Sequence, residues 1–297
     1  MIAAHLPILQ VALPLLAAAV CVIARRGKLP WLISLGTSWL ALAVAVVLLG
    51  QVLDQGPISY ALGGWIAPIG IEYRADLASA FVLVIVAGIT AVILVYAHTS
   101  VAHEIPADRQ HLFYATLLLS FTGLLGIAVT GDAFNAFVFL EISSLSSYVL
   151  ISLGASRRAL RAAFQYLVLG SVGATFILIG IGLLYMMTGT LNIVDLGDRL
   201  AALGPNRTVM VGFAFLTVGL SLKIALFPLH LWLPNAYAYA PSAVTAFLAG
   251  TTTKVAIYLL LRFFFAVFTS VYPIEALPLE SFFLPLSLIA IAIASTV

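Results

Sequence analysis

The sequence predicts an all-α polytopic membrane protein, and three observations carry that reading. Apolar residues make up 63% of the chain and charged residues only 8%, whereas soluble domains carry about 25% charged residues. Mean hydropathy is +1.18. The apolar residues also gather into separate runs, and a helix needs about 20 mainly apolar residues to cross a bilayer. With no water at that depth, each run must satisfy its own backbone hydrogen bonds, which a helix does. A formal net charge of +2 is too small to point to nucleic acid. The single cysteine, Cys21, excludes an internal disulfide and a cysteine-rich metal or iron–sulfur site.

Eight runs qualify as spans: residues 6–24, 30–53, 76–97, 112–130, 133–154, 160–187, 208–232 and 243–269. A ninth begins near Phe282 and is still apolar at Val297. The first run is read as a transmembrane helix rather than a cleaved signal, because its basic cluster follows the apolar stretch instead of preceding it. Residues 54–75 hold Gly63-Gly64 and several β-formers, so they predict a small surface hairpin. Residues 188–207 predict a short amphipathic helix at the interface. Asp132, in TGD before the fifth run, reads as an N-cap. Gly170, Gly173, Gly180 and Gly182 predict close helix packing in the sixth run.

Orientation follows from the basic residues between spans. One set of alternate loops carries Arg25, Arg26, Lys28, Arg109, Arg157, Arg158 and Arg161. The other carries Arg74, Arg199 and Arg207, with Asp54, Asp132, Asp195, Asp198, Glu275 and Glu280. The first set is therefore expected in the cytoplasm, with the N-terminus outside a cell inner membrane.

Three ionisable residues near the middle of apolar runs are the candidates for function: Glu141, Lys223 and Lys254. A charge at that depth costs about 2.5–3.5 kcal/mol or more on insertion scales. Ser144 and Tyr148 share the face of Glu141, at i+3 and i+7, and a hydroxylated face can hydrogen-bond a carboxylate. The competing role for Glu141 is a protonated group gluing two helices. Lys223 precedes Pro228 by five residues, and a helix-interior proline removes a backbone hydrogen bond. The seventh run should therefore break near Ile224–Pro228. His230 follows Lys223 by seven residues, which places it on nearly the same face of a regular helix. It is a candidate proton relay, with an interfacial histidine as the alternative. Thr251, Lys254, Tyr258 and Arg262 are spaced as one helical stripe, expected to face the bundle interior or a water-filled path. Arg262 is read as reaching the far interface.

Two opposing effects act on a lysine held at this depth. Burial disfavours its charge, and a nearby carboxylate favours it. Geometry then sets proton affinity, which is the core of a proton switch. His98, His103 and His111 cluster near a loop at irregular spacing and are read as solvated rather than as a metal site. No phosphate loop, nucleophile–base motif or redox-cofactor motif occurs, so no cofactor or metal is expected.

At GDAFNAFVFLEISSLSSYVL and LKIALFPLHLWLPNAYAYAPSAVTAFLAGTTTKVAIYLLLR, the chain resembles the antiporter-like subunits of respiratory complex I and the Mrp cation/proton antiporters, the D-type Mrp subunit above all. The resemblance runs over nearly the whole chain. It implies a fold of about fourteen helices with two inverted five-helix repeats, each with a broken helix and a half-channel. Here the repeat would be runs four to eight. The organisation becomes residues 1–111 as an N-terminal three-helix region with a hairpin, 112–269 as the half-channel repeat, and 270–297 as the start of a ninth helix. The resemblance implies that Glu141 pairs with Lys223 and that Lys254 passes protons toward the second repeat.

Two departures from the family stand out. Asn235 replaces the aspartate usual after the WLP turn, and the sequence stops before a second repeat. A fragment, a split gene or a second polypeptide would each account for the stop. The expected function is the proton-conducting subunit of a multi-subunit Na+/H+ antiporter, with other membrane subunits as partners. A redox-driven subunit of complex I or a membrane-bound hydrogenase is the alternative, and an inactive structural fragment the third reading. In none of them does the chain perform catalytic chemistry of its own.

Overall fold

The computed structural model describes residues 5–25, 27–273 and 279–295. Arg26 and Glu275, two of the charges behind the expected orientation, lie outside them. Among the described residues, eight helices are long and apolar enough to cross a membrane: Leu6–Ile23, Leu29–Gln55, Leu77–Glu104, Gln110–Val129, Ala133–Ser152, Arg157–Thr188, Arg207–Ile224 and Ser242–Ser270. These are the eight runs expected from the sequence, and the chain is a multi-pass membrane protein. The ninth run begins as a shorter apolar helix, Leu284–Ala294.

We number the helices α1 (Leu6–Ile23), α2 (Leu29–Gln55), α3 (Leu77–Glu104), α4 (Gln110–Val129), α5 (Ala133–Ser152) and α6 (Arg157–Thr188). There follow α7 (Ile193–Leu203), α8 (Arg207–Ile224), α9 (Trp232–Tyr239), α10 (Ser242–Ala266) and α11 (Leu284–Ala294). Helix α4 is the centre of the bundle. It packs against α1, α3, α5 and α10, and a helix apolar all round is one with no solvent face. Outer faces such as Phe81, Val92, Val149 and Phe164 remain exposed and apolar, as a surface bathed in lipid requires.

One end of the bundle is tied by a polar knot. The hairpin forms as expected, with β1 (Ile58–Ala61) antiparallel to β2 (Glu72–Ala75). Its backbone continues into the α4–α5 turn, where Gly131 N–H donates to the Glu72 carbonyl at 2.8 Å. The α6–α7 loop joins next, since Ile193 N–H donates to the Gly131 carbonyl at 2.8 Å. Asn192 Nδ2 donates to the buried Glu72 carboxylate at 2.6 Å. Asp132 caps α5, accepting from Asn135 N–H at 2.7 Å. The amphipathic helix expected within 188–207 is α7.

Helices α6 and α8 pack most extensively, over small residues. A Cβ on Gly180 would lie 2.9 Å from the Gly212 carbonyl, and one on Gly173 would lie 3.2 Å from the Gly219 carbonyl. Gly170 makes room instead for the Tyr148 hydroxyl of α5. Gly182 is a correction: nothing lies within 4 Å of the position its Cβ would take, so it serves no helix contact among the described residues.

Candidate functional site

The break in the seventh run builds the site. Helix α8 stops at Ile224, and Ala225 turns left-handed at φ 60°. The turn is closed by two backbone bonds, Leu226 N–H to the Ser221 carbonyl at 2.9 Å and Ala225 N–H to the Leu222 carbonyl at 3.2 Å, the pairing of a Schellman motif. After the break, Trp232 at the start of α9 reaches back and its Nε1–H donates to the same Leu222 carbonyl at 3.0 Å. Backbone carbonyls freed inside a membrane must find donors from protein or water. Here the second half of the broken helix supplies one.

Lys223 thereby sits in the last turn of α8, where the negative end of the helix dipole favours a cation. Its side chain is 3% exposed. The Nζ donates to Ser144 Oγ at 2.8 Å and to Glu141 Oε1 at 3.2 Å, both on α5. Glu141 keeps a quarter of its side-chain surface open, at 25%. The pair is thus asymmetric, with the acid toward the outside and the base enclosed. Behind Ser144 lie Tyr148 and Tyr166, edge to face with centroids 4.6 Å apart. Tyr166 in turn stacks flat on Trp232 at 3.8 Å. An unbroken aromatic column therefore joins the Glu141 face of α5 to the break that seats Lys223.

A cavity of about 20 Å³ adjoins Lys223, lined among others by Ser143, Ser144, Tyr166 and Thr252. That is room for about one water molecule. The hydroxyls of Ser143 and Thr252 are buried and, among the described residues, have no hydrogen-bond partner. Thr252 belongs to α10, so the cavity bridges the Lys223 pair toward the helix that carries Lys254. Nothing in the sequence marks Ser143 and Thr252. Their neighbours Ser144 and Thr251 have the more regular spacing, and hydroxyl residues are common enough to carry no signal alone.

The structure does not bring the other two candidates to Lys223. His230 falls beyond the break, where the helical register that placed it near Lys223 no longer holds. Its ring lies 5.4 Å from that of Phe227, the planes inclined by 30°, and its buried Nδ1 has no hydrogen-bond partner among the described residues. Lys254 is exposed, in line with Ile257 and Leu261, and its Nζ donates to the Ala249 carbonyl of its own helix. The stripe on α10 is too wide to face one way. At about 100° per residue, Lys254 lies about 60° round the helix from Thr251. Contacts with α3, α4 and α8 bury Thr251 and Tyr258 and leave Lys254 outside.

Arg262 forms an ion pair with Asp76, the N-cap of α3 at the end of that span, while its guanidinium lies 5.6 Å from the centre of the Tyr258 ring. Burial pushes the Asp76 carboxyl up, but the Ser79 backbone N–H and the Arg262 guanidinium outweigh it and hold it below its ordinary value. His98 packs on Trp31 with centroids 4.5 Å apart. Among the described residues no group of three or more His, Cys, Asp or Glu side chains is placed to hold a metal.

Known proteins resemble this chain in sequence and in fold. The profile of the family described as "NADH:quinone oxidoreductase/Mrp antiporter, TM" matches residues 130–297, which include Glu141, Lys223, His230 and Lys254. The chain is 42% identical over 275 residues to an NADH-quinone oxidoreductase subunit N from Desulforudis audaxviator, covering 92% of this chain and 54% of the relative. It is 39% identical over 270 residues to a putative antiporter subunit mnhD2 from Staphylococcus aureus, covering 90% and 53%. Among solved structures, a chain of the Mrp complex from a Dietzia species superposes with a TM-score of 0.81 at 31% identity, covering 89% of this chain and 49% of that one. A chain of an archaeal membrane-bound sulfane sulfur reductase gives 0.80 at 31% identity, covering 89% and 54%. The chain spans about half the length of the curated relatives it matches. With a broken helix that buries a lysine against a glutamate, and a family profile over more than half its length, the chain belongs to the membrane-subunit family shared by NADH:quinone oxidoreductases and Mrp antiporters.

Proposed function

We propose that this chain carries protons through a half-channel in a multi-subunit Na+/H+ antiporter, as a D-type subunit of the Mrp kind. The observation behind the reading is the Lys223–Glu141 pair. A buried ammonium with one carboxylate partner depends on that partner for its charge. A proton arriving on the more open Glu141 neutralises the carboxylate, and Lys223 then keeps only the Ser144 hydroxyl. Its proton leaves toward the small cavity lined by Ser143 and Thr252, and so toward α10. In this reading Lys254, on the open face of α10, passes the proton to whatever packs there, and His230 exchanges protons on the side of the break. Partner membrane subunits would complete the path, with the arginine-rich end of the bundle in the cytoplasm.

The test is exchange measured by a pH-sensitive dye in inverted vesicles holding the whole assembly. Lys223→Ala is expected to abolish sodium-dependent proton exchange with the assembly intact. Glu141→Gln should be nearly as damaging, since it removes the charge that holds the lysine protonated. Full exchange in Lys223→Ala vesicles would overturn the proposal.

A second reading has its own support in the 42% identity to an NADH-quinone oxidoreductase subunit. The same pair would then be driven by redox chemistry in partner subunits. Proton pumping that stops with a quinone-site inhibitor would favour this reading over antiport. Unimpaired transport in a Lys223/Lys254 double variant would instead leave the chain a structural subunit.

A further inference from the structure

Away from the proton pair, the outer face of α6 meets the broken helix in two adjoining hollows. The first, about 330 Å³, is lined by Arg158, Arg161, Ala162, Gln165, Asn235 and Tyr239. The second, about 310 Å³, is lined by Phe164, Val168, Leu169, Leu231 and Trp232, and again by Gln165. One is cationic and polar, the other apolar, and Gln165 is their common wall.

The charge in the first hollow is uncompensated. Neither Arg158 nor Arg161 has a carboxylate within salt-bridge distance among the described residues, and no acid lines the hollow. Arg158 Nη1 donates to the Tyr239 hydroxyl at 3.4 Å and lies over that ring, 5.7 Å from its centre. Asn235 Nδ2 donates to Gln165 Oε1 at 3.1 Å. Asn235, the polar residue that the broken helix adds to this hollow, is neutral. Both arginines lie near the start of α6, where a helix dipole also favours an anion. From Arg161 to Leu169 the helix rises about 12 Å, enough to carry the apolar hollow from headgroup depth into the acyl region.

We propose that this face binds one anionic phospholipid, its phosphate between Arg158 and Arg161 and an acyl chain along Phe164 and Val168 to Leu231 and Trp232. Charge complementarity selects an anionic headgroup, and the continuous apolar hollow selects a lipid over a free anion. Basic pockets between transmembrane helices are recognised headgroup sites. The acyl chain would rest on the exposed Leu231, next to the buried Trp232 that closes the helix break, so the lipid would brace the break from outside.

The test uses the whole purified assembly in vesicles containing photoactivatable phosphatidylglycerol, with cross-linked peptides mapped by mass spectrometry. Label is expected on residues 157–169 and 231–239, and only weakly from phosphatidylcholine bearing the same chains. R158Q/R161Q should weaken binding by about 25-fold, at about fivefold per guanidinium. N235D removes no cation but adds a carboxylate to the hollow, and should weaken it too with the assembly intact by size exclusion. Equal labelling by the choline lipid, or label indifferent to both variants, would overturn the site. So would competition by millimolar inorganic phosphate, which would make the ligand a free anion. Protein cross-links from this face to a neighbouring subunit in place of lipid label would give the surface to that subunit and end the proposal.

Discussion

Among single residues, the site depends on how one carbonyl is satisfied. The Leu222 carbonyl, beside Lys223, accepts from Ala225 N–H and from Trp232 Nε1. Trp232→Phe would keep an aromatic ring for Tyr166 to stack on and remove only the indole donor. Because one bond remains, the loss is that of a single hydrogen bond, about 1 kcal/mol. The expected result is a drop of about 2–4 °C in the thermal midpoint of the purified protein. An unchanged midpoint would mean that the indole bond does not hold the break. Lys223 shows the same economy. Its burial is tolerable because a serine, a glutamate and a helix C-terminus all face it, and any one alone would leave a costly group.

Between elements, the break is a matter of backbone conformation as much as of proline. Ala225 takes the left-handed conformation, which costs a residue with a Cβ about 1–2 kcal/mol and which glycine adopts freely. Ala225→Gly should therefore stabilise the protein, less the freedom that glycine adds to the unfolded chain, for a net gain of about 0.5–1 kcal/mol. A midpoint raised by a degree or two in thermal unfolding would show it, and a lowered one would mean that the turn does not limit stability. The start of α10 is fixed by a separate device. Glu104, at the end of α3, accepts from Ser242 N–H at 2.8 Å, capping α10 with a carboxylate from another helix. The element that carries Thr252 and Lys254 is thus aligned by residues far from either.

Across the molecule as a whole, α3 and α10 are pinned at both ends, by Glu104 to Ser242 at one and by Asp76 to Arg262 at the other. The side chains of the second pair are 22% and 15% exposed, so it lies between a surface pair and a buried one, worth about 1–2 kcal/mol. Asp76→Asn keeps a capping side chain for Ser79 N–H and removes the charge. Because the Asp76 carboxyl is held below its ordinary value, its contribution is present above the ordinary aspartate range and lost as pH falls through the lowered value. The expected difference in thermal midpoint between wild type and Asp76→Asn is a few degrees at neutral pH and shrinks below about pH 4. A gap that stays constant with pH would mean that the charge does not matter.

Class, spans and helix break are all legible in the chain before it folds. Apolar run length dictates helices in a lipid solvent, a hairpin and an amphipathic segment are written in local composition, and Pro228 cannot continue a helix. Glu141 and Lys223 stand out in the same way, because an ionisable group deep in an apolar run is expensive whatever surrounds it. How these groups face one another is a property of the packed bundle. Lys254 and Thr251 share a stripe in sequence, yet helix packing buries one and leaves the other open. His230 shares a face with Lys223 only if the helix continues, and the break removes that register. Arg262 meets Asp76 only because packing brings the start of α3 to it, from 186 positions away. Ser143 and Thr252 gain meaning only from the cavity between α5 and α10. Local pattern fixes what each helix is, because lipid acts on every segment independently. Partner choice depends on helix rotation and long-range packing, which no local window contains.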